Sequence, residues 1–163
     1  SVGVFIVKTE GEVAPAVTAA AKYGKRLLVE EYIPGRELTV GVLGDLALPI
    51  VEIRPKVGFY DFRNKYPFLD PEGKGAADHY CPANLDEETT RRVQEMALAA
   101  HRALGLRVYS RVDFLLKQDH TPVVLEINTI PGMTPTSLLP EAAGVAGISF
   151  PRLCERIVEL SLA

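Results

Sequence analysis

The sequence predicts an α+β fold, in which hairpin-connected strands and amphipathic helices share a core instead of alternating as βαβ units. Two observations carry this. The runs RLLVEEYI, ELTVGVL and LPIVEI are separated only by short Pro, Gly or Asp punctuation, which leaves no room for crossover helices. Further on, VDFLLK and PVVLEI flank the polar QDHT, the pattern of an antiparallel hairpin with those residues as its loop.

Taken in order, Glu12 to Lys25 is Ala-rich and predicts a helix, with Pro15 tolerated in its first turn. Arg26 to Ile33, Glu37 to Leu43 and Leu48 to Ile53 predict strands, the first two divided by Pro34-Gly35. From Pro55 to Pro82 the periodicity dissolves into Gly, Pro, Asp and aromatic residues, a length of irregular chain that usually serves a function. Asp86 is placed to cap a helix whose Val93, Met96, Ala97, Ala100 and Leu104 form one apolar stripe, ended by Gly105. A last helix starts near Ser149 and Pro151 and offers Leu153, Cys154, Ile157, Val158 and Leu160 to the core.

Composition narrows the function classes. The 163 residues suffice for one sizeable core or two small lobes, and a net charge of −3 gives no electrostatic case for nucleic acid or a membrane surface. No apolar run approaches the roughly 20 residues of a membrane span. Cys81 and Cys154 are isolated and suggest neither a disulfide framework nor a zinc site. His79, His101 and His120 form no constellation along the chain, and no Ser-His-Asp or Cys-His set is evident.

The chemistry concentrates in the hairpin. With Lys117 and Pro122 as partners flanking the loop, Asp113 falls opposite Glu126 and Arg111 opposite Asn128, and all four share one face. Two acids directly across a ladder repel and require a compensating cation. Arg111 could be that cation, in which case the acids are ordinary strand carboxylates. A hard divalent metal held by carboxylate and amide oxygens is the other reading. It draws support from TIPGMTPTS, which follows at once and exposes backbone N–H groups, so that metal, phosphate and an N–H pocket would be contiguous.

The R-x-D-F-x-L strand at Arg111, the L-E-I-N-T-x-P-G-M-T-x-x-S-L segment from Leu125 and the F-Y-D-F-x-x-K-Y stretch from Phe59 resemble the carboxyl-terminal half of the D-alanine–D-alanine ligases, of the ATP-grasp superfamily. The resemblance runs from Ser1 to about Leu162. It implies an ATP-grasp fold with the remainder of the smaller lobe over residues 1–33 and the larger lobe over 34–163. The larger lobe would include a lid loop at 55–82 and a metal-binding hairpin at 108–128. It also implies that the chain is a fragment lacking an amino-terminal domain and inactive alone.

Residue by residue, the resemblance implies adenine contacts at Glu30, Glu31 and Ile33, ribose binding by Glu37, and Phe59 and Leu115 around the purine. Lys65 would reach the ATP phosphates, and Asp113, Glu126 and Asn128 would hold Mg2+ or Mn2+, as two ions. Arg111 and the N–H of Gly132 would hold a developing oxyanion. Ser137 and Leu138 would grip the carboxylate of the second D-alanine, and Ser1 matches a serine loop near that substrate. Tyr66 matches the residue that accompanies dipeptide formation instead of D-lactate use. Taken alone, Glu30, Glu31 and Glu37 would read as a solvated edge and Ser137 as a plain helix cap.

The implied reaction is ATP-dependent joining of two D-alanines through an acylphosphate, in the cytoplasm, for peptidoglycan precursors, by a protein that as full-length chain is a homodimer. Two alternatives stand beside it. One is another ATP-grasp carboxylate–amine or D-alanine–D-lactate ligase; the other is a nucleotide-binding module without catalysis.

Overall fold

A computed structural model describes residues 3–55 and 77–163, which fall into two compact units, one of residues 3–33 with Pro55 and Ala77, the other of Pro34–Arg54 with Asp78–Ala163. In the first unit a 3-10 turn at Glu10–Glu12 leads into helix α1, Val13–Ala20. The Glu12 carboxylate accepts the backbone N–H groups of Lys8 and Thr9, which lowers its pKa. The helix stops short of the predicted Lys25. Small alanines bury nothing along it, so little packing opposes fraying into Tyr23-Gly24.

The predicted strand at Arg26 to Ile33 does not form. A strand is stable only in a ladder, and the described residues of this unit contain no partner strand, so Leu28 and Val29 stay 83% and 86% exposed.

The second unit is built on a sheet of strands β1 (Arg36–Leu43), β2 (Leu46–Ala47), β3 (Val51–Pro55), β4 (Ala77–Tyr80), β5 (Tyr109–Leu116) and β6 (Pro122–Asn128). Their order is β4-β3-β1-β5-β6, with β2 on β1, and β1 runs antiparallel to β2, β3 and β5. β3 starts three residues later than the predicted Leu48, whose N–H is committed to the Gly41 carbonyl.

One face of the sheet carries Leu38, Val40, Val42, Val112, Phe114 and Leu116 against Val93 and Ala97 of helix α2, Glu87–Ala103. Asp86 caps α2 by accepting the Thr89 N–H at 2.8 Å, and Gly105 closes it at φ 66. Leu104 does not join the predicted stripe and is 60% exposed, because it is the C-cap, beyond the last helical turn. The buried place one turn earlier goes to His101, whose Nδ1 meets Ser110 Oγ at 2.7 Å. Burial pushes the His101 pKa down.

The opposite face is covered by helix α3, Leu138–Val145, which buries Leu138, Leu139, Ala142 and Ala143. Helix α4, Phe150–Leu162, packs on α3, with Leu153 fully buried. Val158, predicted to be core, lies on the outer side of α4 and is 57% exposed. Gly41 of β1 is where α3 comes closest: a Cβ there would lie 2.8 Å from Leu139 Cδ1 and 2.9 Å from Leu48 Cδ1.

A buried carboxylate locks the start of this sheet. Glu52 of β3 is opposite Leu38 and 2% exposed, and both its oxygens are forked by Arg36, at 2.9 and 2.8 Å, and by Arg54, at 3.0 and 2.9 Å. The Arg36 fork is the main reason that the Glu52 pKa falls to about 2. Arg54 also lies over the Tyr80 ring, 4.5 Å from its centroid. Among the described residues no helix is long and apolar enough to cross a membrane.

Candidate active site

Alternation along β5 sets Ser110, Val112, Phe114 and Leu116 toward the core and leaves Tyr109, Arg111, Asp113 and Leu115 on the other face. In β6 the pairing puts Glu126 opposite Asp113 and Asn128 opposite Arg111, as the sequence predicts. The turn differs from the predicted one. Lys117 bonds Thr121 at 3.0 Å, His120 stands at φ 61, and Leu116, not Lys117, pairs with Pro122. This is a β-turn over Lys117 to His120 closed by a left-handed residue, the three-residue kind of hairpin loop. The resulting offset of one residue is absorbed by an irregularity between Asp113 and Phe114, which leaves Leu125 as the extra residue and restores the expected pairing at the acids.

Within the cluster, Arg111 forks Asp113, with Nε 2.9 Å from Oδ1 and Nη2 2.8 Å from Oδ2. Thr39 Oγ1 adds a bond of 2.6 Å to Oδ1, and Asn128 Nδ2 one of 3.0 Å to Oδ2. A carboxylate has about four lone-pair sites, so Asp113 is saturated. The reading in which Arg111 neutralises the aspartate thus describes the present arrangement of that pair. Glu126 is exposed and receives only a longer contact of 3.3 Å from Asn128 Nδ2 among the described residues. Thr39 escaped the sequence reading. Its signal was its place two residues beyond Glu37 on β1, hence on the same face and opposite Asp113.

The donor set suits a hard divalent cation: two carboxylates facing each other and an amide between them. Turning the Asn128 amide over would free one lone pair of Asp113 and present Asn128 Oδ1 beside Glu126. No group of three or more His, Cys, Asp or Glu side chains with metal-binding geometry occurs among the described residues, so the amide is needed to complete a site.

Glu37 pairs with Leu115, and Leu115, Asp113 and Arg111 follow one another down the same face of β5. That row spans about 13 Å at the strand rise of roughly 3.3 Å per residue. α3 lies on this face as well, since Gly41, opposite Arg111, is the residue that Leu139 approaches.

Ser137 is the N-cap residue of α3 but does not cap its own helix. Its Oγ accepts the Thr134 N–H at 3.0 Å and lies 2.8 Å from Thr134 Oγ1, and a Cβ added on Gly132 would come within 2.7 Å of it. The structure therefore gathers Glu37, Leu115, Asp113, Arg111, Glu126 and Asn128 on one sheet face and joins Gly132 to Ser137 at the start of α3. Glu30, Glu31 and Ile33 belong to the first unit, where they form no regular element. Ser1, Phe59, Lys65 and Tyr66 lie outside the described residues.

Comparison with known proteins assigns the family. The family model described as D-ala D-ala ligase C-terminus matches residues 1–159. The chain belongs to this family. It is 48% identical over 161 residues to a D-alanine–D-alanine ligase of Methylacidiphilum infernorum, a match that covers 99% of the chain and 51% of the relative. It is 49% identical over 158 residues to one of Geotalea uraniireducens, covering 97% and 49%. The chain thus spans about half the length of these family members.

Among solved structures, a Bacillus anthracis D-alanine–D-alanine ligase complexed with ATP superposes at TM-score 0.80 with 35% identity, over 97% of this chain and 50% of that one. The VanG D-Ala:D-Ser ligase of Enterococcus faecalis superposes at 0.81 with 30% identity, over 98% and 46%. The α+β, ATP-grasp expectation is met by these ligase neighbours and by the mixed helices and antiparallel sheet.

Proposed function

We propose that this chain is the nucleotide-binding and catalytic half of an ATP-dependent D-alanine–D-alanine ligase, forming ADP and phosphate. The observation that carries the proposal is the row Leu115, Asp113, Arg111 on one face, flanked by Glu37 on β1 and by Glu126 and Asn128 on β6. It offers an apolar contact for a base, a carboxylate for ribose hydroxyls, oxygens for metal and a guanidinium for oxyanion, in the order in which a nucleotide and its acceptor would lie.

Asp113, Glu126 and Asn128 are the residues that would hold Mg2+ or Mn2+, as one or two ions. When bound, such ions neutralise and orient the phosphates. Phosphoryl transfer asks a protein chiefly for positioning and charge neutralisation. Arg111, fixed by its fork on Asp113, presents a permanently charged planar group to the carboxylate that becomes an acylphosphate and then to the tetrahedral oxyanion. The Gly132 N–H is the second donor to that oxygen.

The acceptor's carboxylate would meet the Ser137 hydroxyl and the Leu138 N–H at the positive end of α3. Its amine then attacks the acylphosphate carbon; phosphate leaves with the electron pair of the broken C–O bond, and no protein nucleophile is required. Lys65 on the phosphates, Tyr66 at the acceptor, Phe59 on the purine and Ser1 complete the proposal from sequence, as do Glu30, Glu31 and Ile33 at adenine. A homodimer and a cytoplasmic role in peptidoglycan precursor synthesis accompany the reading.

The VanG neighbour, named for D-serine, fits the chain as well as the D-alanine ligase does, so the fold does not select the acceptor. Tyr66 favours D-alanine over D-lactate. The test is phosphate release from ATP and Mg2+ by the full-length gene product, with D-alanine, D-serine and D-lactate in parallel. D-alanine-dependent release that falls about 100-fold or more in Glu126→Gln is expected. Nucleotide binding with no turnover on any of the three would refute the ligase assignment.

A further inference from the structure

We propose that His79 and Glu141 form a positioning contact that aims the first turn of α3, and with it Ser137 and Leu138, at the acceptor. The inference rests on the reading of those two residues as the acceptor's carboxylate site. His79 Nδ1 of β4 lies 3.0 Å from Glu141 Oε2, with the two side chains 27% and 30% exposed. Glu141 is in the first turn of α3, and its N–H donates to the Ser137 carbonyl at 3.1 Å. Holding the Glu141 side chain therefore holds the turn that ends in Ser137.

The other side of this turn is held by Thr134, whose N–H and hydroxyl both engage Ser137 Oγ. The hydroxyl is thereby turned away from its own helix, which leaves no side-chain cap on α3. The first turn of α3 is thus fastened from two directions, by Thr134 at its start and by His79 from the neighbouring strand. Cys81, just past the end of β4, lies close enough to Glu141 to feel its charge. Burial, with the Glu141 charge as a lesser cause, pushes its thiol up to about 11, so it adds no charge beside Glu141.

A purely structural pair would behave differently. The body of α3 is already anchored by Leu139, Ala142 and Ala143, which are 0–1% exposed, and a single partly exposed polar contact adds little to stability. Its removal should tilt the first turn without detaching the helix. Misplacing a binding group by about 1 Å is enough to cost up to about 100-fold in turnover efficiency.

Glu141→Ala is expected to raise the KM for the second D-amino acid about 5- to 10-fold, with kcat and the KM for ATP within about twofold. The Tm should move by less than about 2 °C. Glu141→Gln, which keeps an oxygen for the imidazole, should recover most of the loss, and His79→Phe should repeat the Ala phenotype. Hydrogen exchange of the α3 first-turn amides, read on the same proteins without substrate, should quicken in Glu141→Ala and His79→Phe.

Unchanged exchange would overturn the anchoring. Quickened exchange with an unchanged acceptor KM, or an equal rise in every KM, would overturn the link to the acceptor. A wild-type protein with no D-amino-acid-dependent turnover would instead refute the ligase reading, while exchange still decides the anchoring.

Discussion

Replacing Glu52 by Gln tests the electrostatics of the fold directly. The native carboxyl titrates near 2 against an ordinary 4.5, chiefly because Arg36 and then Arg54 hydrogen-bond its charged form. A depressed acid contributes stability that is complete above its unfolded pKa and is lost as pH falls toward its folded one. The full difference corresponds to about 3 kcal/mol. Arg36 and Arg54 are 37% and 52% exposed, so solvent screening brings the expected contribution to about 1–2 kcal/mol.

Glu52→Gln should therefore be less stable than the parent by that amount at pH 7. The gap should hold down to about pH 5, shrink below about 4.5 and fall to less than half by about pH 3. Urea unfolding of both proteins at pH 7, 5 and 3 reads this difference. A gap of the same size at pH 7 and pH 3 would show that the loss comes from packing and would refute the electrostatic account.

Gly41→Ala should cost about 1–3 kcal/mol in thermal or urea unfolding, because the new methyl meets the buried side chains of Leu139 and Leu48 at under 3.0 Å. Gly132→Ala should leave the unfolding midpoint nearly unchanged, since Gly132 is exposed, yet displace the Ser137 hydroxyl; a raised acceptor KM with an unaltered ATP KM is the expected readout.

Sequence periodicity succeeded where one element could be judged by itself. The Asp86 cap, the Gly105 stop and the Val93 and Ala97 stripe of α2 are local properties, and they stand as predicted. It failed where burial depends on something distant. RLLVEEYI has every strand preference but no ladder partner among the described residues of its unit, and Val158 has the right residue type on the wrong side of α4.

The acids of the hairpin could be paired from alternation alone. Their neighbours could not: Thr39 arrives from a strand more than seventy residues earlier, and its bond to Asp113 is a product of sheet order. His79 and Glu141, unremarkable in sequence, meet for the same reason.

The extra residue at Leu125 has a wider meaning. Side chains on a strand have parity, and a shift of one exchanges inside for outside. The left-handed turn at His120 introduces one odd step and Leu125 introduces another, and the two cancel before Glu126 is reached. Two unlike turns, the tight one observed and the plain loop expected from sequence, therefore deliver the same face to the same acids. The carboxylate pairing is indifferent to which turn closes the hairpin and answers only to the evenness of the whole. Lengthening the turn and deleting the bulge together would pass unnoticed at the end that carries the two acids, whereas either change alone would send Glu126 toward the core.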